Sequence, residues 1–395
     1  MTELMQQIPV AKPMLDEREV EAVRRVVLSG WVTQGPEVAA FENEFAAHVG
    51  APFACAVSNC TTALHLALLA IGVGAGDEVI TVSHSFIATA NAIRYCGAVP
   101  VFVDIEADGF NIDPVLIERA IGPRTKAILC VHQLGMPCDL SVIVQIAARH
   151  GLPVIEDAAC ATGSEILWDG KWERIGRPHG DIACFSFHPR KVVTTGDGGM
   201  LTTANPDYDR KFRLWRQHGM NVPDTVRHGS RQVIFESYDE VGYNYRMTDL
   251  QAAVGREQLK RLPEIIEKRR QLAQLYAADL SRINGVEPPF EPTWAHSNWQ
   301  SYCIRLRSGI DQRQVMQALL DRGISTRRGV MNAHLEMAYS AHTAAYRAAG
   351  GLERSEAAQA HTIMLPLFAQ MTADEVRAVT SSLSEVLSGL DRSAA

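Results

Sequence analysis

Five short apolar runs alternate with amphipathic helical patterns along the first half of the chain. The runs lie at 53–58, 77–83, 99–105, 126–132 and 152–156, and the helical patterns lie near 61–72, 85–96, 113–121 and 139–150. Strands that are apolar on both faces and separated by helices are typical of a parallel sheet covered by helices on both sides. The sequence therefore predicts an α/β fold whose chemistry lies at the carboxyl ends of the strands. No GxGxxG motif follows the first run, so a dinucleotide site is not indicated.

The second half of the chain has a different pattern, and 395 residues are many for one domain. A long helix is predicted to begin at Thr248, because Thr248 and Gln251 have the spacing of a capping box. A strand and two helices are then predicted at 301–306, 311–321 and 372–389. We therefore predict a large domain of residues 1–250 and a smaller C-terminal α+β domain of residues 251–395, which the long helix enters.

The composition excludes several classes of protein. The net charge is −7 with a pI near 6.0, and no dense block of Lys and Arg is present, whereas nucleic-acid binding needs clustered cations. No apolar run approaches the roughly 18–20 residues of a membrane span, and the N-terminus lacks the order of a signal peptide. The eight cysteines are scattered without a CxxC pair, so we expect neither a metal site nor a disulfide framework. The sequence predicts a cytoplasmic protein that binds neither nucleic acid nor membrane.

The end of the first predicted strand carries two adjacent hydroxyls, Thr61 and Thr62, at the start of a helix. Free backbone amides at a helix N-terminus, together with hydroxyls, form a favourable site for a phosphate dianion. The alternative is that these side chains only cap the helix. This segment alone does not decide between the two.

Two further strand ends carry an acid and a lysine. Asp157 ends the apolar strand that begins at Val154, where a carboxylate either pairs with a cation such as a pyridinium nitrogen or caps the next helix. Lys191 follows the apolar run 182–187 on a tight loop before a glycine-rich turn, and a lysine there either forms a Schiff base or is an ordinary surface residue. A phosphate site at a helix start, an acid that can pair with a pyridinium nitrogen and a lysine at a strand end, in that order along the chain, fit a pyridoxal 5'-phosphate (PLP) site.

Seven stretches in this order resemble the DegT/DnrJ/EryC1/StrS family of PLP-dependent sugar aminotransferases over nearly the whole chain. The resemblance implies a fold type I transferase that uses PLP, with a mostly parallel sheet between helices in its large domain. The stretches are SGWVTQGPEVAAFE (29–42), AVSNCTTALHLAL (56–68), GDEVITVSHSFIATANAI (76–93), VPVFVDI (99–105), VIEDAA (154–159), FSFHPRK with GDGG (185–199) and GYNYRMTDLQAA (242–253).

The resemblance also implies the role of each site residue. Lys191 is expected to bind the cofactor as a Schiff base and to move the proton during transamination, and Asp157 is expected to pair with the pyridinium nitrogen. His188 is a candidate substrate contact. Some family members are dehydratases with a histidine at the lysine position, so Lys191 favours transamination here. No metal is expected.

Other implied contacts lie further along the chain. Phe86 is expected to lie on the cofactor ring. Asn244 is expected to reach the cofactor phosphate across a dimer interface, so the resemblance implies a homodimer with shared active sites. Phosphate contacts are also implied for Thr61, Thr62 and Ser186.

The implied reaction moves an amino group from L-glutamate, or glutamine, to a keto carbon of a nucleotide-linked deoxysugar. The GYNYRMTD motif favours a 4-keto-6-deoxy sugar, for polysaccharide or secondary-metabolite biosynthesis. The chain departs from the family at Cys60, at Cys160 and in RRGVMNAH (327–334), where relatives have a run like RIHYP. Arg327 and Arg328 either bind a diphosphate or are solvated. Two alternatives stay open: amination of a ketocyclitol or other non-nucleotide ketone, and a regulator that keeps the fold without turnover.

Overall fold

The computed structural model describes residues 7–222, 226–227, 230–340 and 345–394, without the side chains of 391–394. The strands of this part are β1 (Phe53–Val57), β2 (Glu78–Val82), β3 (Val99–Val103), β4 (Thr125–Val131), β5 (Val154–Asp157), β6 (Glu165–Trp168), β7 (Lys171–Arg174), β8 (Ile182–Ser186), β9 (Gly199–Thr203), β10 (Val286–Glu287), β11 (Ala295–His296), β12 (Tyr302–Leu306), β13 (Arg327–Arg328), β14 (Arg347–Ala348) and β15 (Thr362–Leu365).

The helices of the described residues flank these strands. They are α1 (Glu17–Ser29), α2 (Pro36–Val49), α3 (Cys60–Ala70), α4 (Ala88–Tyr95), α5 (Pro114–Ala120), α6 (Leu140–His150), α7 (Pro206–Trp215), α8 (Asp249–Leu280), α9 (Gln312–Leu320), α10 (Glu353–His361) and α11 (Ala373–Ala394). The predicted polar interval 219–240 lies partly outside the described residues.

The main sheet has, within the described residues, the strand order β1-β9-β8-β5-β4-β2-β3-β14. Strands β14, β3, β2, β4, β5 and β8 pair parallel with one another, so the prediction of a mostly parallel sheet is confirmed. The first predicted strand is an exception: β1 pairs antiparallel with β9, from Phe53 opposite Thr203 to Val57 opposite Gly199. The expectation that all five runs are parallel was therefore wrong. An apolar run indicates that a strand is buried on both faces, but it does not indicate the direction of the strand. The direction of β1 depends on its pairing with β9, which itself runs antiparallel to β8.

Aromatic side chains of α2 pack against β8 and the residue that follows it in the main hydrophobic core. Its Phe45 ring lies 5.0 Å from the Phe185 ring of β8, and Phe41 lies 5.3 Å from Phe187, measured between ring centroids. Both helix residues are fully buried, and each contributes about 1.5–3 kcal/mol of hydrophobic stabilisation. The strand that precedes Lys191 is therefore held against a rigid aromatic cluster.

A buried ion cluster connects α2 to β1. Glu42 Oε1 accepts hydrogen bonds from the backbone N–H of Ala56 at 2.9 Å and from Arg216, the residue after α7, and its Oε2 accepts one from Arg213 Nη1 at 2.7 Å. Arg213 also donates to the carbonyl oxygen of Ala54 at 2.7 Å. Since β1 leads directly into α3, this cluster positions the N-terminus of α3.

A second antiparallel sheet, β10-β12-β15-β13 in the described residues, has its own hydrophobic cluster around Tyr276 and Tyr302. The helix α8 joins the two cores, and its predicted capping box between Thr248 and Gln251 is confirmed. Ile8 belongs to the second cluster and bridges to Ile324, so the N-terminal segment packs on the C-terminal unit. The domain boundary at residue 250 stays a prediction.

Some features of the fold were not anticipated. The hairpin of β6 and β7 with β11 forms a small sheet, and β14 extends the main sheet at its edge. The spacing of the valines in α1 does not mark its buried face, because Val20 and Val27 are exposed while Ala22 and Val26 are buried. In the described ranges no helix is both long and apolar enough to cross a membrane. The same residues contain no group of three or more His, Cys, Asp or Glu side chains suited to a metal ion.

Candidate active site

Lys191 lies on a short loop after β8, where the sequence predicts it. The loop is tight because the backbone N–H of Lys191 donates to the carbonyl oxygen of His188 at 2.8 Å, and Phe187 pairs with Gly198 at 2.9 Å. His188 Nδ1 accepts the backbone N–H of Arg190 at 3.2 Å, so this imidazole is used in shaping the loop. The lysine is thus fixed at the carboxyl end of the sheet.

The side chain of Lys191 points to a cysteine and an acid. Its Nζ donates to Cys160 Sγ at 3.0 Å. Burial disfavours the charged ammonium, but Cys160, Cys60 and Asp157 raise the pKa of Lys191 above its ordinary value. These neighbours therefore favour the protonated form of the Lys191 amine.

Asp157 ends β5 and is 4% exposed. Its Oδ2 accepts the hydroxyl of Thr89 at 2.7 Å, and its Oδ1 accepts the backbone N–H of Ala159 at 3.2 Å. Burial raises the pKa of Asp157, while Thr89, Ala159 and Lys191 oppose this rise. The residue is a buried acid whose orientation is set by two donors.

Thr89 is a site residue that the sequence analysis missed. It lies on the first turns of α4, and Ser85 Oγ lies 2.8 Å from its hydroxyl. The signal available was its place in SHSFIAT, three residues after Phe86. The backbone N–H of Thr89 donates to the carbonyl oxygen of Phe86 at 3.1 Å, so both residues belong to the turn that leads into α4.

The N-terminus of α3 forms the third part of the site. Asn59 caps the helix by accepting the N–H of Thr62 at 2.9 Å, and the Thr62 hydroxyl donates to the carbonyl oxygen of Asn59 at 2.7 Å. Thr62 therefore takes part in the capping box, and its predicted contact with a phosphate stays a prediction. Among the described residues, the backbone amides of Cys60 and Thr61 find no acceptor, so they are free for an anion.

Gly199 and two residues of β8, Ser186 and Cys184, complete the surroundings of this helix N-terminus. A Cβ at Gly199 would stand 2.5 Å from the Asn59 carbonyl carbon, so only glycine lets β9 approach the helix start. Ser186 is buried at the end of β8, with its Oγ accepting the N–H of His188 at 3.4 Å. Cys60 Sγ lies 3.7 Å from the carbonyl oxygen of Cys184, which places the helix start over β8.

The remaining predicted residues lie on exposed surfaces. The Phe86 side chain is 64% exposed, in the loop before α4. Asn244 is exposed and forms a backbone bridge with Gln217, next to Tyr245, whose carbonyl oxygen accepts the N–H of Ser58 at 2.8 Å. The structure therefore brings the Asn244 segment to the end of β1.

Arg327 and Arg328 are both exposed, but their surroundings differ. Arg328 pairs with Glu336 at 3.3 Å. Partial burial, Arg190 and Arg328 together lower the pKa of Arg327. In the described chain neither Arg190 nor Arg327 has a carboxylate within ion-pair distance. Two like charges beside the Lys191 loop therefore lack a counter-ion.

The segment 327–334, which differs from the run found in relatives, is anchored at its C-terminal end by contacts with other parts of the protein. Asn332 bonds His84 Nδ1 at 3.1 Å and the carbonyl oxygen of Ser355 at 2.8 Å, and His334 bonds Ser83 at 2.6 Å. Gly329 is also explained by packing, because a Cβ there would collide with Thr362. Arg327 is therefore the side chain of this segment that is available to a ligand.

The sequence matches the DegT/DnrJ/EryC1/StrS aminotransferase family over residues 13–384. It is 39% identical over 385 residues to the GDP-perosamine synthase of Caulobacter vibrioides, covering 96% of this chain and 98% of that protein. It is 37% identical over 393 residues to the spore coat polysaccharide biosynthesis protein SpsC of Bacillus subtilis, covering 97% and 98%.

Solved structures have the same fold. The aminotransferase TlmJ from Streptoalloteichus hindustanus superposes with a TM-score of 0.88 at 33% identity, covering 98% of this chain and 100% of that one. A putative sugar aminotransferase, Spr1654 from Streptococcus pneumoniae in its PMP-form, gives a TM-score of 0.88 at 26% identity, covering 96% and 98%. Fold and site together define a PLP-dependent sugar aminotransferase of fold type I. The chain belongs to the DegT/DnrJ/EryC1/StrS aminotransferase family.

The residues of the site fit this cofactor. The free amides at the start of α3 suit its phosphate, the buried carboxylate of Asp157 suits its ring nitrogen, and the amine of Lys191 suits its aldehyde. Each group lies at the carboxyl end of β1, β5 or β8.

Proposed function

We propose that this aminotransferase moves the amino group of L-glutamate, or glutamine, to the keto carbon of a nucleotide-linked deoxysugar, a 4-keto-6-deoxy sugar. The observation that carries the proposal is the uncompensated pair of guanidinium groups on Arg190 and Arg327, next to Lys191. A diphosphate supplies the negative charge that such a pair needs, and guanidinium groups bind phosphate oxygens in a bidentate manner. A relative named GDP-perosamine synthase supports the same class of acceptor.

Bound PLP supplies an electron sink for the electron pair that remains when the Cα–H bond of the donor is broken, and it carries the amino group between the two half-reactions. We assign Lys191 Nζ to covalent attachment and to moving the proton from the donor's Cα. Asp157 holds the proton on the ring nitrogen, and Thr89 keeps the carboxylate in position. The amides at the start of α3, with Thr61 and Ser186, bind the phosphate. Phe86 covers the ring and excludes water from one face.

The assignment of Lys191 is tested by reducing the holoenzyme with borohydride and locating the modified peptide by mass spectrometry. We expect the cofactor on Lys191 and no attachment in Lys191→Ala. Lys211→Ala is the matched control, because that amine donates to the carbonyl oxygen of Ala70 at 3.1 Å and lies 5.7 Å from the centroid of the Trp215 ring. Attachment to another lysine in the wild type would remove Lys191 from its role.

The active protein is proposed to be a homodimer with shared sites. Val233, Phe235 and Val241 are 85%, 89% and 88% exposed along the segment that leads to Asn244, and a run of large exposed apolar side chains is typical of an interaction surface. A second subunit covers this segment, and Asn244 then contributes to the neighbouring site.

Complementation tests the shared site. Lys191→Ala and Asn244→Ala are each expected to be strongly impaired, whereas a mixture of the two regains activity because one site of the mixed dimer has both residues. Mixing Lys191→Ala with a second lysine variant, Lys191→Met, is the control that cannot recover. Full activity of a monomer at high dilution would contradict the proposal.

A further inference from the structure

A cavity of about 400 Å³ lies beside the proposed active site. We call it the aromatic cavity; its walls include Phe110, Phe290, Trp294 and Trp299, with Glu106 and Asp108 on one side. It opens between the loop that follows β3 and the segment that precedes β12. It is a space with aromatic walls and two acidic side chains.

A thin wall separates this cavity from the cofactor site. Leu134 and Trp299 line the cavity, whereas their neighbours Gly135 and Asn298 do not line it and pack against each other. Asn298 Nδ2 donates to the carbonyl oxygen of Cys160 at 2.8 Å, and Cys160 contacts Lys191. The cavity is therefore distinct from the space above Lys191, and none of the residues assigned to the cofactor lines it.

Glu106 has no partner in the cavity wall. Within the described residues its carboxylate has neither a hydrogen-bond donor nor an ion-pair partner. Burial, together with Asp113, Asp139 and Asp108, raises the pKa of Glu106 to about 7. Glu106 is half-buried, so its unpaired carboxyl group is partly shielded from water. Such shielding costs free energy, and a cation in the cavity would offset that cost.

The charge of the lining selects the sign of a ligand. No lysine or arginine among the described residues lines the cavity, whereas Glu106 and Asp108 do. Arg305 stands at the rim, with its guanidinium 5.6 Å from the centroid of the Phe110 ring, so this ring already accepts a cation on one face. Aromatic faces attract ammonium groups, and the acids repel anions such as nucleotides.

We propose that the aromatic cavity binds a small organic cation, whose ammonium group pairs with Glu106 and whose apolar body packs on Phe290 and Trp294. This site is separate from the transamination site and does not depend on which acceptor the enzyme aminates. The walls and the acid act together: the rings provide the buried surface, and the carboxylate provides the preference for positive charge.

The test uses benzyltrimethylammonium as the probe, because a quaternary ammonium cannot react with the cofactor aldehyde. Binding to the holoenzyme is followed by tryptophan fluorescence and by calorimetry at about pH 8.5, where Glu106 is ionised. We expect saturable binding of this probe, weaker binding of benzyl alcohol and no binding of benzoate. Glu106→Gln should weaken binding of the cation about tenfold and leave that of benzyl alcohol unchanged, with transamination preserved.

Two further variants keep the result interpretable. Trp294→Ala should reduce both the fluorescence response and the affinity, whereas Glu21→Gln on the exposed face of α1 should change neither. Equal binding of cation, alcohol and benzoate, unchanged binding in Glu106→Gln, or no saturable binding at all would each overturn the proposal.

Discussion

The hydroxyl of Thr89 offers a sharp test of how the site holds its acid. Thr89→Val keeps the shape of the side chain and removes the donor that lies 2.7 Å from Asp157 Oδ2. The carboxylate then retains one backbone donor, the N–H of Ala159 at 3.2 Å. Because the Thr89 bond lowers the pKa of Asp157, its loss shifts that pKa further upward.

The size of the effect follows from this single bond. A hydrogen bond to a charged group contributes about 1.5–3 kcal/mol, which corresponds to about 10- to 150-fold in rate if all of it is expressed in the transition state. Since Ala159 still orients the carboxylate, we expect the lower end, about a tenfold loss in kcat. Asp157→Asn removes the charge itself and should cost on the order of a hundredfold or more.

A double-mutant cycle separates positioning from general damage. The glutamate half-reaction is measured by stopped-flow absorbance in the wild type, in each single variant and in the double variant. If Thr89 acts through Asp157, its replacement costs much less in the Asp157→Asn background. Thr81→Val is the matched control, because the Thr81 hydroxyl is buried and has no hydrogen-bond partner among the described residues. The reasoning is refuted if Thr89→Val costs the same factor in both backgrounds, or if Thr81→Val is equally damaging.

Further predictions concern stability and the acceptor. Glu42→Gln should lower the free energy of unfolding by about 3–5 kcal/mol in urea titrations, since it leaves the buried guanidinium of Arg216 without a carboxylate, whereas Glu21→Gln in an exposed pair should cost less than about 1 kcal/mol. Burial raises the pKa of Glu42 but the arginines lower it more, so the folded pKa lies below the unfolded one. This stabilisation is complete above the unfolded pKa and is lost as the pH falls through the folded pKa; Glu42→Gln should flatten that acid loss, and an unaltered pH profile would count against it. Arg327→Ala should raise the KM of a nucleotide-linked acceptor several-fold more than Arg328→Ala, which already pairs with Glu336, and glutamate turnover should barely change. A collapse of glutamate turnover would assign Arg327 to the donor or to the fold.

Much of the fold follows from patterns that a sequence displays directly. The apolar runs locate β1 to β5 because burial on both faces requires apolar residues at successive positions, and the capping box at Thr248 marks the start of α8. The antiparallel direction of β1 was not predictable, because it depends on a pairing with β9, which is remote in sequence. Short elements such as β13 and β14 were missed because two residues carry no periodicity.

The site divides in the same way. Lys191 and Asp157 were located because each follows an apolar strand, and strand ends converge at one edge of a parallel sheet. Contacts between side chains of distant elements could not be predicted from the sequence. The hydroxyl of Thr89, the thiol of Cys160 and the charge of Arg190 near Arg327 become significant only when α4, β5 and β13 are packed together.

The central claim is that the acceptor is a nucleotide-linked keto sugar. The most direct measurement mixes the enzyme in its pyridoxamine form with a panel of nucleotide-linked keto sugars and ketocyclitols, follows the cofactor absorbance, and identifies the product by mass spectrometry. We expect a nucleotide-linked 4-keto-6-deoxy sugar to return the cofactor to its aldehyde form and to yield the amino sugar nucleotide, and we expect ketocyclitols to be inert. Return of the aldehyde form with a ketocyclitol and with none of the nucleotide sugars would contradict it.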